Sequence, residues 1–143
     1  MEDQQISQSN EYLSKIIEKY DFIESIILTD SDGSLIALAF KKGFEKTGED
    51  EKNIRANLSY NFSISLDQLT KVNNWKTNSI ISFYDKHVLY QQKINEVVFC
   101  HIICDKNEYY HEIMKNISDK ITKKFEPIKD KLIEIKNKKP QNN

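Results

Sequence analysis

The pattern of apolar and polar positions divides the first part of the chain into a helix and a hairpin. Residues 10–20 place apolar side chains at helical spacing on one face, which predicts a short amphipathic helix. Residues 22–29 and 34–40 are short apolar runs rich in β-branched side chains, so they predict two strands. Asp30-Ser31-Asp32-Gly33 lies between them and has the composition of a tight turn. The two strands are therefore expected to form a β-hairpin.

The second part of the chain predicts two longer helices separated by three strands. Residues 41–52 are charged and predict a loop, whereas residues 53–73 contain neither Pro nor Gly and predict a helix. Its apolar stripe is expected to pack on the sheet: Ile54, Leu58, Phe62, Leu66 (or Ser65), Leu69 and Val72. Strands are predicted over residues 76–84, 88–94 and 97–104. A final helix is predicted over residues 105–135, with a kink or a break at Pro127.

The order α-β-β-α-β-β-β-α predicts an α+β fold with a five-stranded antiparallel sheet. The length of 143 residues is that of one domain. We expect this domain to span residues 10–135, with disordered tails over residues 1–9 and 136–143.

Composition and charge narrow the class of protein. The net charge is −1, which argues against a protein built as a whole to bind nucleic acid. The N-terminus has neither the basic nor the apolar region of a secretion signal, and no apolar run is long enough to span a bilayer. The two cysteines are too few for a disulfide framework. A cytosolic protein without a membrane anchor of its own is therefore expected.

Signatures of catalysis, cofactor binding and metal binding are missing from the sequence. It contains no phosphate-binding glycine motif and no nucleophile elbow. Cys100-His101-x-x-Cys104 resembles a metal motif, but on a strand the two cysteines lie ~13 Å apart and His101 points to the opposite face. We predict no catalytic, cofactor-binding or metal-binding residue.

A protein-binding surface is the functional feature that the sequence favours. The long helix carries small residues at Ala56, Ser59 and Ser63, which form either a solvent-facing polar stripe or a helix–helix contact. The strand that follows contains the uncharged run of residues 79–83, which has little protection against pairing with another edge strand. A partner could cover the helix and extend the sheet together. The residues expected at this interface are Ala56, Ser59, Ser63, Ser79, Ile81 and Phe83. The sequence does not determine which face of the strand turns towards the helix of the partner.

These elements resemble the roadblock/longin-type domain family. The element order and the D-x-D-G turn carry the general resemblance. Three stretches are similar to the MAP-kinase scaffold subunits of Ragulator complexes: Leu58-Ser59-x-x-Phe62, Asp67-Gln68-x-x-Lys71 and Lys76-x-x-Ser79-Ile80-Ile81-x-x-Tyr84. The charged loop over residues 41–52 and the Lys/Asn-rich C-terminal end depart from that family.

The resemblance implies a fold, partners and a location. It implies a central helix on one face of the sheet and the terminal helices on the other. It also implies a non-enzymatic scaffold that forms a heterodimer with a second roadblock-domain subunit through the third strand and the central helix. Such complexes lie on the cytoplasmic face of late endosomes or lysosomes, attached by a lipid-anchored Ragulator subunit. They support MAP-kinase signalling, bind a MAP-kinase kinase, and anchor Rag GTPases that recruit the TOR kinase.

Two other functions stay open at the level of the sequence. The first is a different roadblock-type protein that forms a homodimer, such as a dynein light chain or a small-GTPase regulator. The second is a small-molecule sensor or enzyme on a related α+β scaffold. Self-association would favour the first, and an apolar pocket with convergent polar groups would favour the second.

Overall fold

Three α-helices and five strands make up residues 3–127, the part of the chain that this computed structural model describes. In chain order they are α1 (Asp3–Lys19), β1 (Ile23–Thr29), β2 (Leu35–Phe40), α2 (Gly48–Asn73), β3 (Ser79–Phe83), β4 (His87–Lys93), β5 (Phe99–Asp105) and α3 (His111–Phe125). A 3-10 turn over Lys106–Glu108 precedes α3. The predicted order of elements and the α+β class are confirmed.

The five strands form one antiparallel sheet in the order β2-β1-β5-β4-β3. The first hairpin places β1 beside β2, and the later meander places β3, β4 and β5 side by side. β5 therefore lies at the centre, and β1, β5 and β4 each pair with a strand on both sides. β2 and β3 are the two edges.

The helices cover the two faces of the sheet unequally. α1 and α3 lie on one face, where Leu13, Ile17, Ile117 and Ile121 join the main apolar core with side chains from the strands. α2 lies on the opposite face. There the ring centroid of Phe62 lies 5.0 Å from that of Phe99 on β5. The arrangement implied by the family resemblance, with the central helix opposite the terminal helices, is present.

The turn of the first hairpin is held by its own side chains and by α2. The Asp30 carboxylate accepts hydrogen bonds from the backbone N–H groups of Asp32 (2.8 Å) and Ser34 (2.9 Å). Gly33 has a φ of +88°, and a Cβ atom there would lie 3.1 Å from Ala56 Cα. Glycine thus lets the turn approach the backbone of α2 closely.

Two helices begin earlier than the sequence pattern predicts. α1 begins at Asp3, within the segment expected to be a disordered tail. Polar residues can extend a helix without an apolar stripe, because the helix propensity of their backbone does not require burial. α2 begins at Gly48, within the segment expected to be a loop. Its first turn carries Glu49, Asp50 and Glu51, and acidic side chains are favourable at a helix N-terminus.

β3 and α3 also differ from the predicted bounds. β3 covers Ser79–Phe83 rather than residues 76–84. α3 begins at His111 rather than at residue 105, because the Asp105 carboxylate accepts a hydrogen bond from Asn107 N (2.9 Å) and caps the 3-10 turn instead. α3 ends before Pro127. The rest of the predicted helix and the tail over residues 136–143 lie outside the described residues.

The expected packing of the α2 stripe is wrong along much of the helix. Phe62 is the one member of that stripe that is fully buried, and Val72 is 63% exposed. A helix of 26 residues is about 39 Å long, whereas a strand of 7 residues spans about 23 Å. The sheet therefore covers α2 only in part: Leu66 and Leu69 are half-buried, and Val72 is exposed.

Candidate partner-binding surface

The two edges of the sheet are protected to very different degrees. At the β2 edge, the Asn10 side chain of α1 accepts a hydrogen bond from Leu38 N at 2.8 Å. A side chain there occupies a backbone donor that another strand would otherwise use. Within the described residues, β3 pairs only with β4, and none of its residues is fully buried. The β3 edge is therefore the one available for pairing with another chain.

The structure settles which side chains of β3 face which side of the sheet. Ile81 packs against the core formed with α1 and α3, and the Phe83 ring centroid lies 5.9 Å from that of Tyr109. Ile80 and Ser82 point to the other side and line a cleft between the sheet and α2. Successive side chains of a strand point to opposite faces of the sheet, so Ile81 and Phe83 share one face and Ile80 and Ser82 share the other.

The inner face of α2 is attached to the sheet by a buried polar network. Ser59 Oγ lies 2.8 Å from Thr29 Oγ1, which lies 2.9 Å from His101 Nε2. On its other side, His101 Nδ1 lies 2.9 Å from Gln91 Nε2, which also donates a hydrogen bond to Leu58 O at 3.1 Å. Each of these side chains thus finds a polar partner away from water, as buried polar groups require.

The network fixes the state of the His101 ring. Because the Gln91 amide nitrogen can only donate, Nδ1 accepts, and the ring proton lies on Nε2 and is donated to Thr29. Burial lowers the pKa of His101 to about 3, so the ring is neutral at physiological pH. A neutral, fully buried histidine that is hydrogen-bonded at both nitrogens is a structural link between α2 and the sheet.

The outer face of α2 combines small and apolar side chains. Ala56 and Ser63 are exposed, and Tyr60 between them is 65% exposed. Ile64, four residues after Tyr60, extends this surface towards the cleft beside β3. A row of exposed apolar residues beside an open strand edge is typical of a protein–protein interface.

The six residues predicted for the interface do not form one surface. Ser59 faces the chain's own sheet and is 1% exposed, so it is not available to a partner. The three strand residues, Ser79, Ile81 and Phe83, point to the face of α1 and α3 rather than to that of α2. Ala56 and Ser63 lie on the outer surface. Spacing alone placed Ser59 with them, although its position three residues before the buried Phe62 indicates the inner face.

Tyr60, Ile80 and Ser82 are the surface residues that the sequence reasoning missed. Tyr60 follows Ala56 by four positions and precedes Ser63 by three, so helical spacing was a signal for it. No such signal existed for Ile80 and Ser82, because the phase of the strand depends on how it packs.

The cysteines of the Cys100-His101-x-x-Cys104 stretch do not form a metal site in the described part of the chain. Burial raises the pKa of both Cys100 and Cys104, that of Cys104 to about 12, so both thiols stay protonated. In residues 3–127, no three His, Cys, Asp or Glu side chains come together as a metal site would require. In the same range, no helix has the length and apolar character needed to cross a bilayer.

Solved structures with the same architecture include a roadblock domain. The chain resembles the Roadblock/LC7 domain from Streptomyces avermitilis with a TM-score of 0.69 and 11% identity, covering 82% of this chain and 94% of that one. It resembles MglB of Myxococcus xanthus with a TM-score of 0.68 and 19% identity, covering 86% and 98%. For the gliding protein MglB of Thermus thermophilus, the TM-score is 0.70 and the identity 11%, covering 85% and 88%. These likenesses show a roadblock-type fold.

The sequence itself identifies a family within that fold. No curated protein matches the sequence of this chain. Residues 7–132, however, match the family described as "Mitogen-activated protein kinase kinase 1 interacting". This match covers most of the 143 residues and includes every described strand and helix apart from the first turn of α1. The chain therefore belongs to the mitogen-activated protein kinase kinase 1 interacting family, on a roadblock-type fold.

Proposed function

We propose that this chain is a non-enzymatic scaffold subunit that forms a heterodimer with a second roadblock-domain protein. The observation that carries the proposal is the open β3 edge beside an exposed apolar surface on α2. Pairing of β3 with the same strand of a partner would continue the sheet from one subunit into the other. The outer surfaces of the two α2 helices would then meet above it.

The chemistry of both elements supports this mode of association. β3 contains neither a charged residue nor a proline, the two common means of protecting an edge. On α2, Ala56 and Ser63 permit close approach of another helix, and Tyr60 supplies apolar area with a polar tip. On the strand, Ile80 and Ser82 lie on the α2 side and would contribute to the same interface.

Membership of the family supports a more specific role. We place the heterodimer in a Ragulator-like complex on the cytoplasmic face of late endosomes or lysosomes, attached through a lipid-anchored partner subunit. There it would bind a MAP-kinase kinase and help to anchor Rag GTPases that recruit the TOR kinase. The mechanism is presentation, because a scaffold that holds signalling proteins close together raises their effective concentration.

Light scattering after size exclusion tests the heterodimer. The full chain is measured alone and after co-expression with a candidate second roadblock-domain subunit from the same organism. A tight 1:1 complex supports the proposal. A stable homodimer that ignores the second subunit would instead favour a homodimeric roadblock protein, such as a dynein light chain or a small-GTPase regulator.

A substitution at the centre of the α2 surface tests the geometry. Ser63→Arg places a long charged side chain on the outer face of α2 and is expected to weaken pairing at least tenfold. Stability of the isolated chain should change by no more than about 0.5 kcal/mol, because the position is exposed. Ser7→Arg, at an exposed position on α1, is the matched control. Equal affinity for both variants would exclude α2 from the interface.

A further inference from the structure

An open cavity of about 560 Å³ lies under the N-terminal half of α2 and adjoins the cleft beside β3. Its floor is the sheet, at Ile27, Leu89 and Ile103. Its walls are α2 on one side and the segment after β2, with Phe44 at 43% exposed, on the other. The lining is mostly apolar, and the size is that of pockets that hold a small ligand or a few side chains.

A buried carboxylate faces this apolar cavity. Glu24 lines it and is 8% exposed. The pairing of β1 with β5 shifts between Ile23 and Ser25, so Glu24 is the extra residue of a β-bulge. The bulge places Glu24 and Ser25, neighbours in sequence, in the same cavity. Bulges commonly redirect a side chain towards a functional site.

Within residues 3–127, one hydrogen bond reaches the Glu24 carboxylate. His87 Nε2 lies 3.1 Å from Glu24 Oε1, and the His87 side chain is 49% exposed at the start of β4. A carboxylate removed from water is costly unless a cation or several donors compensate for the lost hydration. Lys46 also lines the cavity, but it is exposed, where water and salt screen its charge. The cavity therefore combines apolar walls with a largely buried carboxylate that is hydrogen-bonded to a half-exposed histidine.

We propose that this cavity binds an arginine or lysine side chain from a protein partner, in a segment where that residue is flanked by aliphatic residues. The aliphatic stem would lie along Ile27, Leu89 and Ile103, and the cationic head would meet Glu24. Basic side chains commonly bury their apolar stem and present their charge in this way. This docking site adjoins the cleft beside β3, since both are lined by Ile54, Leu58, Tyr84 and Leu89, but its occupant is a side chain rather than a paired strand.

Two peptides that differ in one charge test the proposal. The full chain, labelled with ¹⁵N, is titrated with acetyl-Ser-Leu-Arg-Leu-Ser-amide and with the same peptide carrying citrulline, a neutral isostere of arginine. We expect the arginine peptide to bind about tenfold more tightly and to shift the amide signals of Ile27 and Ile103. In Glu24→Gln the preference for arginine should disappear. Glu112→Gln, at an exposed position on α3, is the matched control and should retain the preference.

The other outcomes each overturn the proposal. Equal binding of both peptides would mean an apolar pocket without charge selection. No binding of either peptide would exclude a docking site for such a segment. Binding of pentylguanidinium without binding of the arginine peptide would indicate a site for a small cation. Shifts of the same signals with protein concentration, in the absence of peptide, would identify a second copy of the chain as the occupant.

Discussion

The folded chain should lose stability in mild acid, because His101 takes up a proton readily only when the chain is unfolded. Burial lowers the pKa of this ring from 6.5 to about 3. Among the described residues, its neighbouring side chains are uncharged and would not stabilise the charged ring: Thr29, Ser59, Gln91, Phe62 and Phe99. The imidazolium would also need to donate from both nitrogens, whereas Nδ1 faces the Gln91 amide donor.

The sign and the magnitude follow from the difference in proton binding. Between pH 6.5 and pH 3 the unfolded chain binds a proton at this histidine that the folded chain does not. Stability therefore falls as the pH falls through 6.5, and the loss levels off below about pH 3. From pH 7 to pH 5 the loss from this one ring is about 2 kcal/mol.

Chemical denaturation of matched variants isolates this effect from other titrating groups. The free energy of unfolding is measured at pH 7 and at pH 5, at one protein concentration, for the wild type, His101→Gln and His111→Gln. His101→Gln should lose about 2 kcal/mol less than the wild type over this pH range. His111 is exposed on α3, so its substitution should leave the wild-type dependence unchanged.

A direct measurement keeps the prediction testable even if His101→Gln is too unstable to study. The ring signals of His101 in the wild-type NMR spectrum should not titrate between pH 7.5 and pH 5. A titration of the His101 ring with a midpoint near 6.5, or equal losses of stability in all three proteins, would refute the argument from burial.

Three further predictions concern the packing of the fold, and denaturant unfolding measures each of them. Phe62→Ala should cost about 3–5 kcal/mol, because it removes the fully buried aromatic anchor of α2; a cost below 1 kcal/mol would contradict that role. Gly33→Ala should cost more than Gly43→Ala, since both glycines have positive φ but only the first would bring a Cβ against Ala56. Asn10→Ala should cost about 1 kcal/mol and promote self-association, because it uncovers the β2 edge; unchanged stability and light scattering would show that this edge needs no cover.

The sequence could predict that the surface involves a strand edge and a helix, but not which residues of each element lie on it. The uncharged run in β3 indicated an unprotected edge, and that edge is open in the structure. The role of Ser59 could not be derived, because its partners Thr29 and His101 are distant in sequence. Whether a small residue on a helix faces outward or joins a buried network depends on which strands lie beneath it. The phase of β3 was undetermined for the same reason.

Local pattern determined the order of elements, the hairpin turn and the antiparallel meander. Each of these features depends on residues that are close in sequence. The period of the apolar side chains indicates the helices and strands, Asp30 and Gly33 favour the turn, and short links between strands favour a meander. The sequence also favoured a family of scaffolds, which the match over residues 7–132 supports.

Tertiary structure alone decided how the faces of those elements are used. Joining the hairpin to the meander through β1 and β5 left β3 at an edge, and the long α2 had room to bury only part of its apolar stripe. The same sheet brought Glu24 of β1 and His87 of β4 to within 3.1 Å in an apolar cavity, although they are 63 residues apart. Such juxtapositions depend on contacts between distant segments, and no local pattern in the chain encodes them.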